Sequence, residues 1–129
     1  MRIGINFKII SVCIAIVIVV IGAFSLCARA TTGQYASVTG SYYTDSDSRE
    51  WATASATNIS STLRYITVSV KNEKGVTLGS GGGKTSSGAM TSVNSVNITT
   101  SLHAYAHCTV YNSTSPSSGS VESLMSVIK

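Results

Sequence analysis

Residues 98–111 read Ile-Thr-Thr-Ser-Leu-His-Ala-Tyr-Ala-His-Cys-Thr-Val-Tyr, and their alternation decides the fold class. Leu102, Ala104, Ala106, Cys108 and Val110 share one parity. Ser101, His103, Tyr105, His107, Thr109 and Tyr111 share the other. Successive side chains of a strand point to opposite faces, so this period of two marks a β-strand with one buried and one wetter side.

The same pattern recurs on the N-terminal side. Ile66, Val68 and Val70 alternate with Tyr65, Thr67 and Ser69 within 63–71. Ala52, Ala54 and Ala56 alternate with Trp51, Thr53, Ser55 and Thr57. Alanine suits a helix, but the interleaved Thr and Ser favour a strand. Residues 35–44 form a first strand, in which Gly40 marks a bulge, and the polar run 45–50 is a loop. Asn72-Glu73-Lys74-Gly75 is a hairpin loop with Gly75 in the left-handed position. A return strand starts at 76–79, residues 80–88 are a glycine-rich flexible loop, and 89–96 form a further strand. Beyond the polar break at 112–120, Val121, Leu124, Met125 and Ile128 fall at i, i+3, i+4 and i+7. Ser120 can cap and Glu122 suits a first turn, which predicts a short helix over 121–129, with a last strand as the rival. The expected fold is all-β: a small antiparallel β-sandwich of six or seven strands with that short C-terminal helix. An internal echo joins Asn58-Ile-Ser-Ser-Thr-Leu-Arg to Asn97-Ile-Thr-Thr-Ser-Leu-His. Each precedes a strong strand, as equivalent places in two sheets would require, although chance recurrence in a Ser/Thr-rich chain explains it equally well.

The N-terminal part has a different character. Arg2 and Lys8 precede a nearly unbroken apolar run, Ile9 to Ala28, and Ala28-Arg29-Ala30 has the small-x-small form of a signal peptidase site. Residues 1–30 therefore read as a cleaved signal peptide, and 31–129 as one β domain. The alternative is a retained membrane anchor, since the run is long enough to span a bilayer with its basic flank inside. Either way residues 31–129 lie outside the cytoplasm, secreted or displayed. Bulky Leu26 before Cys27 disfavours lipidation.

Removing the leader changes the composition. Six basic residues remain against five acidic ones, with no basic stripe, so nucleic acid is a poor partner. Cys108 is the sole remaining cysteine, which excludes a disulfide-stapled scaffold, and its parity makes it a buried, inert thiol. Residues 31–129 hold 21 Ser and 15 Thr but no Phe. Such a chain builds a thin core, and association between copies would add buried surface.

No catalytic constellation stands out. Gly79-Ser80-Gly81-Gly82-Gly83-Lys84-Thr85 lacks the first glycine of a phosphate loop, because Leu78 occupies that place. His103 and His107 would stand roughly 13 Å apart along a strand, too far to share one zinc ion. Asp45, Asp47 and Glu50 lack the glycine and terminal acid of a calcium loop. There is no Gly-x-Ser-x-Gly elbow. Neither enzyme activity nor a cofactor is expected.

The rings offer the better lead. Trp51, Tyr65, Tyr105 and Tyr111 all have the parity opposite to the apolar residues of their strands, and His103 and His107 share the parity of Tyr105. These six residues make up a candidate interaction face, suited to stacking and hydroxyl contacts with protein or sugar. The expected function is a secreted or cell-surface, non-enzymatic interaction protein whose partner is a protein, an envelope component or a second copy. The alternatives are a small secreted toxin resembling a bacteriocin, and a carbohydrate-binding module. The membrane is a partner only if the N-terminal segment is retained.

Overall fold

The structure, a computed structural model, describes residues 9–18 and 22–129. Nine strands follow in chain order: β1 (Ile9–Ile18), β2 (Gly22–Thr32), β3 (Ala36–Thr44), β4 (Glu50–Asn58), β5 (Arg64–Asn72), β6 (Thr77–Thr85), β7 (Met90–Asn97), β8 (Ala104–Tyr111) and β9 (Ser120–Val127). A 3-10 turn at Pro116–Ser118 precedes β9. Two sheets form, ordered β1-β2-β3-β4-β7 and β6-β5-β8-β9, and every pairing is antiparallel. Residues 31–129 thus supply seven of the strands, β3 to β9. Their connectivity is that of an immunoglobulin-type sandwich, with the fourth strand on the edge of the opposite sheet.

The alternating stretches form the core. Val38 of β3, Ala52, Ala54 and Ala56 of β4, Ile66, Val68 and Val70 of β5, and Ala104, Ala106, Cys108 and Val110 of β8 are buried between the sheets. Inward alanines keep the layers close. A Cβ on Gly40 would lie 2.5 Å from Ile128 Cγ1 and 2.9 Å from Ala106 Cβ. Gly40 is therefore a contact between layers and not a bulge: the β3–β4 register runs unbroken through it. Gly75 adopts φ 77° in the hairpin between β5 and β6, as its place in the loop predicts.

Four expectations need correction. Residues 80–85 continue β6 and are not a loop. The absence of side chains on Gly79 and Gly81 lets β6 approach β7 and close that side of the sandwich; a Cβ on Gly81 would reach 2.3 Å from the Ser92 carbonyl. The helix expected at 121–129 is strand β9. Its helical spacing mixes two strand faces, with Val121 and Met125 exposed and Leu124 and Ile128 turned inward. The open edge of β8 supplies the ladder that an isolated short helix would lack. Leu102 is 76% exposed, because β8 begins at Ala104 and a turn between Ile98 and Ser101 breaks the parity. Ile98 fills the core there instead, at 0% exposure. Finally, a bulge lies between β4 and β7, where Ala54 faces Val93 and Ala52 faces Val96, which leaves one extra residue in β7; the register also shifts by one at Val70/Lys71 against β6 and at Val110/Tyr111 against β9.

Candidate functional site

The outer face of the four-stranded sheet collects four of the six candidate residues. β8 presents Tyr105, His107 and Tyr111, and β5 presents Tyr65. The pairing registers set the rows. Lys71 stands beside Tyr105, which stands beside Val127; Ser69 beside His107, beside Met125; Thr67 beside Thr109, beside Ser123. At the far end the Tyr65 and Tyr111 rings meet edge to face, with centroids 5.8 Å apart and planes at 76°, a favoured geometry for aromatic pairs. Each ring is half-buried by its neighbours and open to solvent on its other side.

β9 adds residues that the sequence pattern had assigned to a helix. Val121, Met125 and Val127 point outward and are 41%, 56% and 40% exposed. They form an apolar stripe along the strand beside β8. An alternating reading of 121, 123, 125 and 127 would have found it.

His107 sits in the middle of this face. Its Nε2 lies 2.9 Å from the Ser123 hydroxyl. Partial burial, and secondarily the Lys71 ammonium, hold its pKa below the ordinary imidazole value. A neutral imidazole at neutral pH offers both a donor and an acceptor. The face therefore combines rings, hydroxyls and a thioether with one weakly basic group.

The other two candidates lie elsewhere. Trp51 is on the outer face of the opposite sheet. Its indole N–H donates to Asp45 Oδ2 at 2.9 Å, and the Arg49 guanidinium stands 6.0 Å from its ring. Arg49 also pairs with both Asp45 and Asp47. The Trp51 hydrogen bond, followed by bonds from Arg49 and the Asp47 amide, lowers the Asp45 pKa to about 2. This cluster satisfies itself and ties the 45–49 loop to β4. His103 precedes β8 at the end of the sandwich, where its Nδ1 approaches the Lys129 carbonyl at 3.4 Å. The two histidines therefore do not share one strand face. Sequence parity brought six residues together; the two-sheet topology separates Trp51, and the turn before β8 separates His103.

Cys108 is fully buried beneath the face. Burial, with a contribution from the Glu122 charge, pushes its thiol up to about 12, which keeps it protonated and unreactive. Among the described residues no three His, Cys, Asp or Glu side chains are grouped to hold a metal ion, and no helix is long and apolar enough to cross a membrane. The opposite outer face carries a shallow, open depression of about 350 Å³ lined by Thr39, Ser41, Thr53, Ser55, Ser92 and Asn94 among others. No ring lines it, so it lacks the stacking platform of a sugar site.

Comparisons with protein-family models, with curated proteins and with solved structures find no match to this chain.

Proposed function

We propose that residues 31–129 act outside the cytoplasm as a non-enzymatic interaction domain, which binds a protein or envelope component through the outer face of the four-stranded sheet. The observation that supports this is the contiguous surface of Tyr105, His107, Tyr65 and Tyr111 beside the exposed Val121, Met125 and Val127. Aromatic and methionine side chains on a flat sheet bury large areas at small entropic cost, and the surrounding hydroxyls provide a polar rim. The leader-like residues 1–30 support export.

Two measurements test the proposal. The full chain is produced in a secreting bacterium, and the N-terminus of the exported product is sequenced; it should begin at Thr31. Binding of that product to isolated cell envelopes is then measured. Combined Tyr105→Ser and Met125→Ser substitutions should weaken it at least about tenfold, whereas Thr57→Ser on the opposite sheet should not. Equal binding by all variants would remove the face from the proposal.

A further inference from the structure

In the whole chain, β2 lies along the outer edge of β3. Cys27 faces Tyr42, Ala28 faces Ser41, Arg29 faces Gly40, Ala30 faces Thr39, Thr31 faces Val38 and Thr32 faces Ser37. The site Ala28-Arg29-Ala30 falls inside this ladder. Cleavage after Ala30 removes the partners of Thr39 to Tyr42 and keeps those of Val38 and Ser37.

The retained piece has ties of its own besides the β2–β3 ladder. Thr31 Oγ1 donates to the Met125 carbonyl at 3.0 Å. The Glu122 carboxylate accepts from the amides of Gln34, Tyr35 and Ala36 at 2.6, 2.9 and 3.0 Å. These bonds hold residues 31–36 against β9, so they cannot swing over to cover the vacated stretch.

The other edges of the sandwich are occupied differently. β6 and β7 close on each other through Gly79 and Gly81. β9 is flanked by Thr31 and by the segment that Glu122 holds. The stretch Thr39-Gly40-Ser41-Tyr42-Tyr43 carries no charge and no proline, so it lacks the usual protection of an edge strand.

Resting on the export reading, we infer that cleavage uncovers the β3 edge as an acceptor for the same edge of a second copy, joining two sheets antiparallel across a twofold axis. The leader segment then has a second role: while attached, it fills the edge and prevents this pairing. A twofold axis perpendicular to the joined sheet sets outward residues opposite outward residues, with Ser41 at or near the axis. The pairing satisfies backbone groups that cleavage would otherwise leave to water.

The exported chain tests this. N-terminal sequencing reports cleavage, and sedimentation equilibrium separately reports size. A chain beginning at Thr31 should sediment as a dimer at micromolar concentration. Thr39→Lys with Ser41→Lys should convert it to monomer with its β circular dichroism retained, because like charges then face each other across the junction. Thr57→Lys, on the same face but one strand inward, should leave the dimer intact. In the positive direction, Ser41→Cys should form an interchain disulfide under mild oxidation, since directly opposed strand residues lie within disulfide reach, and Thr57→Cys should not. A cleaved chain that is monomeric, or a dimer whose Ser41→Cys variant fails to cross-link, overturns the inference and leaves export standing. A chain that retains residues 1–30 overturns both.

Discussion

The chain passes from the first sheet to the second twice, through two segments of nearly the same sequence, and uses them in opposite ways. Residues 58–64 join β4 to β5; residues 97–103 join β7 to β8. In each, the asparagine Oδ1 accepts the amide of the residue two places on, at 2.9 Å. There the likeness ends. Asn58 is 0% exposed and Ile59 is 46% exposed; Ile98 is 0% exposed and Asn97 faces solvent. The extra residue in β7 accounts for the inversion. Val93 and Val96 both face inward despite their odd separation, so Asn97 falls outward and Ile98 inward. One bulge thus decides which of two adjacent side chains must be satisfied by hydrogen bonds and which by packing.

The two crossings are also held by different chemistry. At the first, the Asn58 Nδ2 donates to the carbonyls of Thr62 and Thr85 at 2.8 and 2.7 Å, and Oδ1 also accepts the Ser60 hydroxyl. Every bond of this buried amide is made with neutral groups. Arg64 completes that end, 4.3 Å from the Tyr35 ring and donating to the carbonyls of Tyr111 and Asn112. At the second, carboxylates hold the chain. Glu73 accepts from the amides of Leu102 and His103, and Lys129 bridges Glu50 to the Ser101 carbonyl.

The largest effect that would break this contrast is at Asn58. Asn58→Leu keeps the branched shape but leaves the Thr85 carbonyl without its buried donor and removes the bonds to the Thr62 carbonyl and to the Ser60 amide and hydroxyl, and should cost about 4 kcal/mol in urea unfolding. Asn97→Leu should cost under about 1 kcal/mol. Equal losses would mean that the two asparagines play one role. Next come the isoleucines: Ile98→Ala should cost roughly 3 kcal/mol, and Ile59→Ala within about 0.5 kcal/mol.

Acid should separate the crossings without mutation. The His103 and Leu102 amides lower the Glu73 pKa below its ordinary carboxylate value. The stabilisation is therefore present above that ordinary value and lost as pH falls through the lowered one. Hydrogen-exchange protection at Leu102 and His103 should drop over that range, while the Ser60 amide, held by Asn58, keeps its protection. Parallel loss at both crossings would point to global unfolding instead. A small effect is also expected at the bulge itself. Deleting Ser95 restores plain alternation between Val93 and Val96 and leaves Ile98 inward, so the loss should be about 1 kcal/mol or less. A loss as large as that of Ile98→Ala would show that the extra residue does not set the phase.

These details mark where the sequence was legible. Strands β4, β5 and β8 could be read because their apolar residues alternate without interruption, and that parity also placed Tyr65, Tyr105, His107 and Tyr111 on one face. Parity fails wherever it is carried across a turn or a bulge, as at Leu102, and it cannot tell which of two sheets a strand joins, which is why Trp51 fell on the wrong side. β6 was hidden because its glycines carry no pattern; their value lies in the neighbour they admit. β9 was hidden because its valines and serines gain order only from the ladder with β8. Glu122, whose carboxylate holds residues 34–36, had no local signal at all, for its partners lie 86 to 88 positions away.

The tie made by Glu122 has a mechanical consequence. It fastens residues 34–36 at the end of the sandwich where β3 starts, while Lys129 is fastened to Glu50 at the opposite end. Tension applied between residues 31 and 129 therefore runs along the strands. It loads the β3–β4 and β8–β9 ladders in shear, so that their hydrogen bonds resist together and do not open one after another. Forced unfolding is governed by the height of the rupture barrier, and this attachment geometry raises that barrier in a domain whose thin core gives it little other resistance to being pulled apart.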